Sequence, residues 1–313
     1  MNTKLFAPYL IIIAALLWSA DGLLRRNLYS LPPATIVLME HLLGLIVLAP
    51  FLIKEFKGWI KLSQKTWFSV IAIALLGGTI GTIAYTAALG KINYINFSVV
   101  VLLQQLQPVF AISLAGLLLK ERITKRFIGL AILAMIAAYV VSFPDLRVNL
   151  ATGGGTVIAA LLAVTAAFSW GASTVLGRYA LKTVSFVSLS GLRFAFTSVL
   201  AFLFLYSTGD VSSINLLTGT QWWYIVAIVF STGLVALLIY YKGLQHVPAR
   251  MSTILEMAWP VSAILIDLIF FKNALSITQW IGAIVLISVI ITISRDVKKQ
   301  EKLNEPVAIG PES

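Results

Sequence analysis

Ten long apolar runs constrain the fold of this chain more than any other feature. They cover residues 5–24, 34–53, 67–89, 94–119, 127–143, 156–177, 187–206, 222–242, 251–271 and 277–294. A helix needs ~20 apolar residues to cross a bilayer, whereas a barrel strand needs only ~10 with alternating polarity. Because backbone polar groups must pair within the chain in hydrocarbon, the runs predict an all-α integral membrane protein with ten transmembrane helices.

The composition and the placement of charge agree with a lipid environment. Only 11% of the residues are charged, about half of the ~25% that is typical of soluble domains. The net charge of +11 would suit a nucleic-acid partner, but the positive residues lie in short loops between apolar runs. That distribution follows the positive-inside rule, so no nucleic-acid partner is predicted. The absence of cysteine excludes disulfides and cysteine-ligated metal.

The distribution of Lys and Arg predicts the orientation. With the N-terminus in the cytoplasm, the cytoplasmic segments hold 17 of these residues and the opposite loops hold 5. Both termini are therefore expected in the cytoplasm. The first run is long enough to span the membrane and lacks a small-residue cleavage site, so no cleavable signal peptide is expected. Together with the lack of cysteine, this favours the inner membrane of a bacterium.

The two halves of the chain repeat each other with one spacing. Five pairs of residues are each separated by 152 positions, namely Trp18 and Trp170, Arg26 and Arg178, His41 and Arg193, Pro108 and Pro260, and Lys120 and Lys272. The predicted units are a first five-helix repeat over 1–145, a linker over 146–155, a second repeat over 156–295 and a disordered cytoplasmic tail over 296–313. Since five is odd, the second repeat enters the membrane inverted, which is the usual basis of alternating access.

Three segments resemble the drug/metabolite transporter superfamily, specifically its EamA-type ten-helix exporters. They are "LLWSADGLLRR", "FSWGASTVLGR" and the proline-containing "LLQQLQPVFAISLAGLLLKERIT". The resemblance implies a secondary active transporter that exports small metabolites, such as amino acids or related amphipathic solutes. It also implies a central cavity lined by the first, third, fourth, sixth, eighth and ninth helices. The chain departs from the family pattern at His41, where arginine is common, and at Asn273, opposite Glu121.

Polar residues inside apolar runs are the candidate functional residues, because a charge at the centre of a membrane helix costs ~2.5–3.5 kcal/mol on insertion scales. Glu256, four residues before Pro260, is the strongest candidate. The alternative for Glu256 is an interfacial ion pair with Arg250. Gln104 and Gln105 are its counterparts before Pro108, and they fit either substrate contact or bonding between helices.

Three other polar positions have two interpretations each. Arg193 has no nearby acid in sequence; it fits pairing with Glu256 across the bundle or snorkelling towards headgroups. His41, which follows Glu40, suits proton coupling or a structural hydrogen bond. Asp21 suits substrate contact or a local salt bridge with Arg25 four residues later.

The aromatic residues complete the candidate site. Trp18, Trp170 and Trp259 lie in mid-helix, where they suit cavity walls or core packing. Tyr85 and the adjacent Tyr240 and Tyr241 occupy corresponding helix ends that suit gates. The predicted substrate-binding residues are Trp18, Asp21, Tyr85, Gln104, Gln105, Trp170, Tyr241, Glu256 and Trp259. The predicted coupling or gating residues are His41, Arg193, Glu256, Pro108 and Pro260.

Several function classes are disfavoured. The chain has no HExxH, P-loop or G-x-S-x-G motif and only two histidines, so neither catalysis nor a metal or cofactor is predicted. The predicted partners are a small-molecule substrate, the lipid bilayer and protons. The alternatives are a nucleotide-sugar-type exchanger of the same superfamily, which should carry more intramembrane cations, and a lipid-handling or scaffold membrane protein without solute transport. A membrane enzyme acting on lipids would need clustered acids or histidines near one interface.

Overall fold

The computed structural model describes residues 3–90, 103–143, 146, 156–270 and 275–303. All regular structure in these ranges is helical. The α-helices are α1 (Thr3–Trp18), α2 (Asp21–Arg25), α3 (Pro33–Leu52), α4 (Phe56–Trp59), α5 (Gln64–Ile73), α6 (Gly81–Leu89), α7 (Gln107–Leu119), α8 (Lys125–Ser142), α9 (Thr156–Ala180), α10 (Phe186–Thr208), α11 (Gly219–Phe230), α12 (Leu234–Leu244), α13 (Ala249–Leu255), α14 (Ala258–Phe270) and α15 (Ile277–Leu303). A π-helical segment, Ala74–Ile80, joins α5 to α6, and short 3₁₀ segments cover Arg26–Leu28 and Asp210–Leu216.

Eight stretches of the described chain are long and apolar enough to cross a membrane. They are Lys4–Leu28, Pro33–Leu52, Gln64–Leu89, Lys125–Ser142, Val157–Ala180, Phe186–Thr208, Gly219–Leu244 and Ile277–Lys299. The predicted fourth run lies partly outside the described residues, and its described part is the shorter helix α7. The predicted ninth run is divided between α13 and α14. The protein is thus a multi-pass helical membrane protein.

The division of the ninth run places a break at Glu256. The chain turns at Glu256 and Met257, and α14 starts at Ala258 with Pro260 in its first turn. Proline has no N–H to donate to the carbonyl four residues earlier, and its ring crowds that carbonyl, so a helix weakens there. α7 likewise carries Pro108 in its first turn, after a turn at 105–106. The two breaks fall close to the 152-residue spacing of the repeat.

The third run in each half is also irregular. In the first half, the π-helical segment contains Gly77 and Gly78, and its wider turns expose carbonyls to side chains. Thr79 and Thr82 donate their hydroxyls to the carbonyls of Ala74 and Gly77, each at 3.0 Å. In the second half, the turn at 231–233 separates α11 from α12. The third run of each half therefore departs from regular α-helix near its middle.

Helices of the two halves pack against each other. α3 packs on α10, α8 on α15, α1 on α12, and α9 on both α6 and α7. Small residues allow this close packing, which must replace the hydrophobic effect inside lipid. Ala7, Ala14 and Ala15 of α1 are fully buried. At Gly243 of α12, an added Cβ would lie 2.8 Å from the carbonyl oxygen of Ala7.

We expect Gly243→Ala to lower the free energy of unfolding by about 1–3 kcal/mol, the usual cost of overpacking a tight interface. The neighbour in conflict is backbone, which cannot rotate away. Gly58→Ala is the matched control, since nothing lies within 4 Å of its added Cβ. Thermal unfolding of the purified proteins in detergent measures both changes. Equal unfolding temperatures for Gly243→Ala and the wild type would contradict the packing described for α1 and α12.

The last helix extends further than the sequence predicted. α15 continues to Leu303, so the prediction of a disordered tail from residue 296 was wrong for residues 296–303. Polar contacts hold this extension to the bundle: Asp296 pairs with Arg126 at 3.0 Å, and Lys298 donates to the Tyr9 hydroxyl at 2.8 Å. Residues 304–313 and, apart from Leu146, the predicted linker lie outside the described residues.

Candidate functional site

A cavity of about 720 Å³ lies between elements of both halves. Its volume falls within the ~300–1,000 Å³ that is usual for small-molecule sites. Twelve of the thirteen predicted site residues line it: Trp18, Asp21, His41, Tyr85, Gln104, Gln105, Pro108, Trp170, Arg193, Glu256, Trp259 and Pro260. The thirteenth, Tyr241, is buried behind the wall.

Glu256 lies at the helix break and is held by three neutral donors. The hydroxyl of Tyr240 donates to its Oε1 at 2.7 Å, and that of Ser252 donates to the same oxygen at 3.1 Å. Gln107 of α7 donates from Nε2 to Oε2 at 2.9 Å. The expected alternative, a pair with Arg250, was wrong, because Arg250 binds Glu121 at 3.2 Å instead. The carboxylate therefore faces the cavity without a cation bound to it among the described residues.

Tyr240 links this carboxylate to α9 of the same half and to α1 of the opposite half. Its hydroxyl is 2.9 Å from that of Thr174 in α9, and its ring lies 5.0 Å from the ring of Trp18 in α1. Trp170 of α9 contacts Tyr85 of α6 in the same way, with ring centroids 5.1 Å apart. Each half thus supplies a tryptophan that packs on a tyrosine of the other half. The sequence predicted Tyr240 only as a candidate gate beside Tyr241, and its bond to Glu256 was not predicted.

A buried ion-pair cluster lines another part of the cavity. Arg25 donates from Nε to Asp21 at 2.5 Å and from Nη2 to Glu40 at 2.7 Å. Thr232, at the turn between α11 and α12, donates its hydroxyl to Asp21 at 2.7 Å. The local salt bridge from Asp21 to Arg25 is confirmed. From sequence, Arg25 was expected to be a loop charge. Its burial was not predictable, because the bond to Glu40 joins two helices.

Arg193 is held by the π-helical segment rather than by an acid. Its guanidinium donates to the Gly77 carbonyl and to the Tyr241 hydroxyl, both at 2.9 Å. Trp170 also donates to the Gly77 carbonyl, at 3.2 Å. The expected pairing of Arg193 with Glu256 was wrong. Tyr241 supports this arginine from outside the cavity lining.

His41 adopts the structural hydrogen bond that the sequence allowed. Its Nδ1 lies 2.8 Å from the Val37 carbonyl, and its ring packs 4.7 Å from that of Phe194. Since a carbonyl only accepts, Nδ1 must carry the hydrogen, which leaves Nε2 as the acceptor of the neutral ring. Glu40 does not bond to His41, because adjacent residues of a helix point in different directions.

The three glutamines of the fourth run have different surroundings. Gln105 donates to the Ser142 hydroxyl at 3.0 Å. Of the two interpretations given for Gln105, this bond is the one between helices. Gln107, which was not among the residues predicted from sequence, donates to Glu256. The side-chain nitrogen of Gln104 is buried without a hydrogen-bond partner among the described residues. Of the three, Gln104 alone has a side-chain nitrogen without a partner in the part of the chain that the structure describes.

Comparisons with known proteins agree with this architecture. The EamA-like transporter family matches residues 5–143 and again residues 157–295, an offset of 152 residues (157−5). The chain is 35% identical over 297 residues to a protein named riboflavin transporter ImpX from Fusobacterium nucleatum subsp. nucleatum, covering 94% of this chain and 99% of that one. A solved crystal structure shares the fold, with a TM-score of 0.73 and 18% identity over 94% of this chain and 98% of its own. The chain belongs to the EamA-like transporter family.

Proposed function

We propose that this transporter carries riboflavin, or a neutral aromatic solute much like it, through the central cavity by alternating access. The observation that carries the proposal is a cavity lined by two tryptophan–tyrosine pairs and by amide and carboxylate side chains. The 35% identity to a protein named for riboflavin transport supports it over almost the whole of both chains.

The chemistry of riboflavin suits these walls. Its flat ring system offers aromatic faces, and tryptophan and tyrosine rings bind such faces by offset or edge contacts. Its ring edge carries carbonyl acceptors beside an N–H donor, and its side chain carries hydroxyls. Gln104 and Gln107 supply donors and acceptors for such groups. The two tryptophan–tyrosine pairs and the polar residues around one cavity fit an amphipathic solute of this kind.

The proposed mechanism rests on an inverted pair of five-helix repeats, ten helices in all. Three observations support it. The family matches the chain twice, the helix breaks recur near one spacing, and the first helix of each half packs on a helix of the other half. α1 packs on α12, and its counterpart α9 packs on α6. Two such copies can exchange conformations and open the cavity to either side in turn. We place both termini in the cytoplasm and the protein in the inner membrane on the charge distribution.

The amino-acid substrate class and the export direction remain predictions from the resemblance. We favour riboflavin over amino acids because aromatic side chains form so much of the cavity wall. Proton coupling through Glu256 is also part of the proposal. It makes a separate prediction, because accumulation against a gradient requires proton coupling whereas exchange at equal pH does not.

Counterflow in proteoliposomes tests the transported solute. Vesicles preloaded with unlabelled riboflavin should take up radiolabelled riboflavin saturably, and a panel of amino acids should fail to compete. Exchange of an amino acid without exchange of riboflavin would contradict the proposal and would support amino acids as the substrate class. Vesicles without protein give the background.

A matched pair of tryptophan variants connects this exchange to the cavity wall. We expect Trp18→Ala to raise the half-saturating riboflavin concentration roughly three- to tenfold, which corresponds to the ~0.5–1.5 kcal/mol of an aromatic pair. Trp223→Ala should leave it unchanged, since that side chain is 75% exposed and lies outside the cavity. Equal values for the two variants would argue against ring contact at Trp18.

A further inference from the structure

Arg25 has one donor that nothing in the described chain uses. Its Nε and Nη2 bind Asp21 and Glu40, but Nη1 is buried with no hydrogen-bond partner among the described residues. The residue is 3% exposed and lines the cavity. A buried donor without a hydrogen-bond partner costs free energy, because it has lost its bonds to water. A bound solute that offers an oxygen would satisfy it.

The two carboxylates decide which kind of solute oxygen can accept a hydrogen bond from Nη1. Asp21 and Glu40 are also buried, with side chains 12% and 5% exposed. Two carboxylates around one guanidinium leave the cluster with an excess of one negative charge. A phosphate monoester carries about −1.5 to −2 at neutral pH and would be repelled. A carbonyl or hydroxyl oxygen carries no net charge and can accept from Nη1.

We propose that Arg25, clamped by Asp21 and Glu40, is a substrate-binding residue that donates from Nη1 to a neutral oxygen of the solute, and that the cluster excludes phosphorylated solutes. The proposal rests on the proposed riboflavin transport and deepens it. It assigns Arg25 as a contact and Glu40 as a determinant of charge selectivity. It also predicts rejection of nucleotide sugars, the alternative cargo within the superfamily.

Two other cations of the described chain line the same cavity, Arg26 and Arg193, and they offer the opposing interpretation. The Arg193 guanidinium is bound to neutral groups, and its Nε has no partner among the described residues. A phosphate site built on Arg193 would make a phosphorylated solute bind at least as well as its neutral parent. The two interpretations therefore predict opposite orders of affinity for riboflavin and riboflavin 5′-phosphate.

Competition in the counterflow assay tests this order on the wild-type protein. Riboflavin 5′-phosphate should need at least roughly a hundredfold higher concentration than riboflavin to halve the exchange, as expected for like charges a few ångströms apart in a protein interior. Comparable potencies, within about threefold, would overturn the exclusion. Absence of any riboflavin exchange would instead overturn the proposed function, so the two failures are distinguishable.

Two variants separate the contact from the charge. Arg25→Lys keeps the charge but loses Nη1, so riboflavin binding should weaken about tenfold while the preference over the phosphate persists. Glu40→Gln keeps an acceptor for Arg25 and removes the excess charge, so the preference should fall roughly tenfold. Asp296→Asn, in a pair outside the cavity, is the control and should change neither value. Wild-type affinity in Arg25→Lys would overturn the contact, and an unchanged preference in a monodisperse Glu40→Gln protein would overturn the charge effect.

Discussion

Glu256→Gln is expected to abolish riboflavin accumulation driven by a pH gradient while leaving counterflow at equal pH within about threefold of the wild-type rate. The carboxylate forms no ion pair among the described residues and is held by Tyr240, Ser252 and Gln107. It can therefore bind and release a proton without breaking a salt bridge. An intramembrane carboxylate of this kind is a typical site of proton coupling.

The glutamine variant isolates the charge because the surroundings can adapt to it. The new amide oxygen can accept from Tyr240 and Ser252, and its nitrogen can donate to Gln107 after that side chain turns its own amide over. Tyr240 is the titratable side chain bonded to Glu256, so its hydroxyl is the neighbouring group that the substitution affects. Asp296→Asn controls for loss of a carboxylate elsewhere.

Uptake into proteoliposomes with and without an imposed pH gradient distinguishes the loss of accumulation from a loss of exchange. Wild-type protein should accumulate riboflavin only with the gradient, and the variant should equilibrate it without accumulation. A Glu256→Gln protein that accumulates riboflavin with the same dependence on the gradient as the wild type would exclude Glu256 as the coupling residue.

Glu121→Ala is expected to lower the free energy of unfolding by about 3 kcal/mol, because removing one partner of a buried ion pair leaves the other charge uncompensated. Glu121 follows the end of α7 and binds the start of α13. Its carboxylate accepts the backbone N–H groups of Ala249 and Arg250 at 2.8 and 3.1 Å and the Arg250 guanidinium at 3.2 Å. Negative charge at a helix N-terminus also interacts favourably with the helix dipole.

The Arg126–Asp296 pair provides a matched control for this stability change. Asp296→Ala should cost about 0–1 kcal/mol, since an exposed ion pair contributes little. The side chains of that pair are 67% and 25% exposed, against 11% for both members of the Glu121 pair. Thermal unfolding in detergent compares the two, and an equal loss for both substitutions would show that the contacts of Glu121 do not hold α7 to α13.

The spans and the cavity lining were largely predictable from sequence, for a physical reason. Lipid demands long apolar helices, and polar residues inside them face the remaining polar space. Glu256, Gln104 and Arg193 all follow this rule, and the repeat identified their register. Pro260 indicated a weak point in its helix, although the sequence did not show that the break would fall at Glu256 itself.

The partners of these residues were not predictable, because each partner comes from another helix. Arg250 is six residues from Glu256 in sequence, yet it binds Glu121 from the first half. Arg193 binds a carbonyl that only the π-helical segment makes available. Arg25 was counted with the loop charges because its second acid, Glu40, lies on α3. The tail prediction failed at Asp296 for the same reason, since Arg126 lies on α8.

Substrate protection of a single cysteine tests the central claim most directly, because the chain contains no native cysteine. Ala263→Cys would place a thiol on the half-buried cavity wall, and Ser212→Cys would place one on an exposed connection outside it. If riboflavin crosses through this cavity, saturating riboflavin should slow maleimide labelling of Ala263→Cys several-fold and leave Ser212→Cys unchanged. Unchanged labelling of Ala263→Cys, in protein that still exchanges riboflavin, would contradict the assignment of this cavity as the transport site.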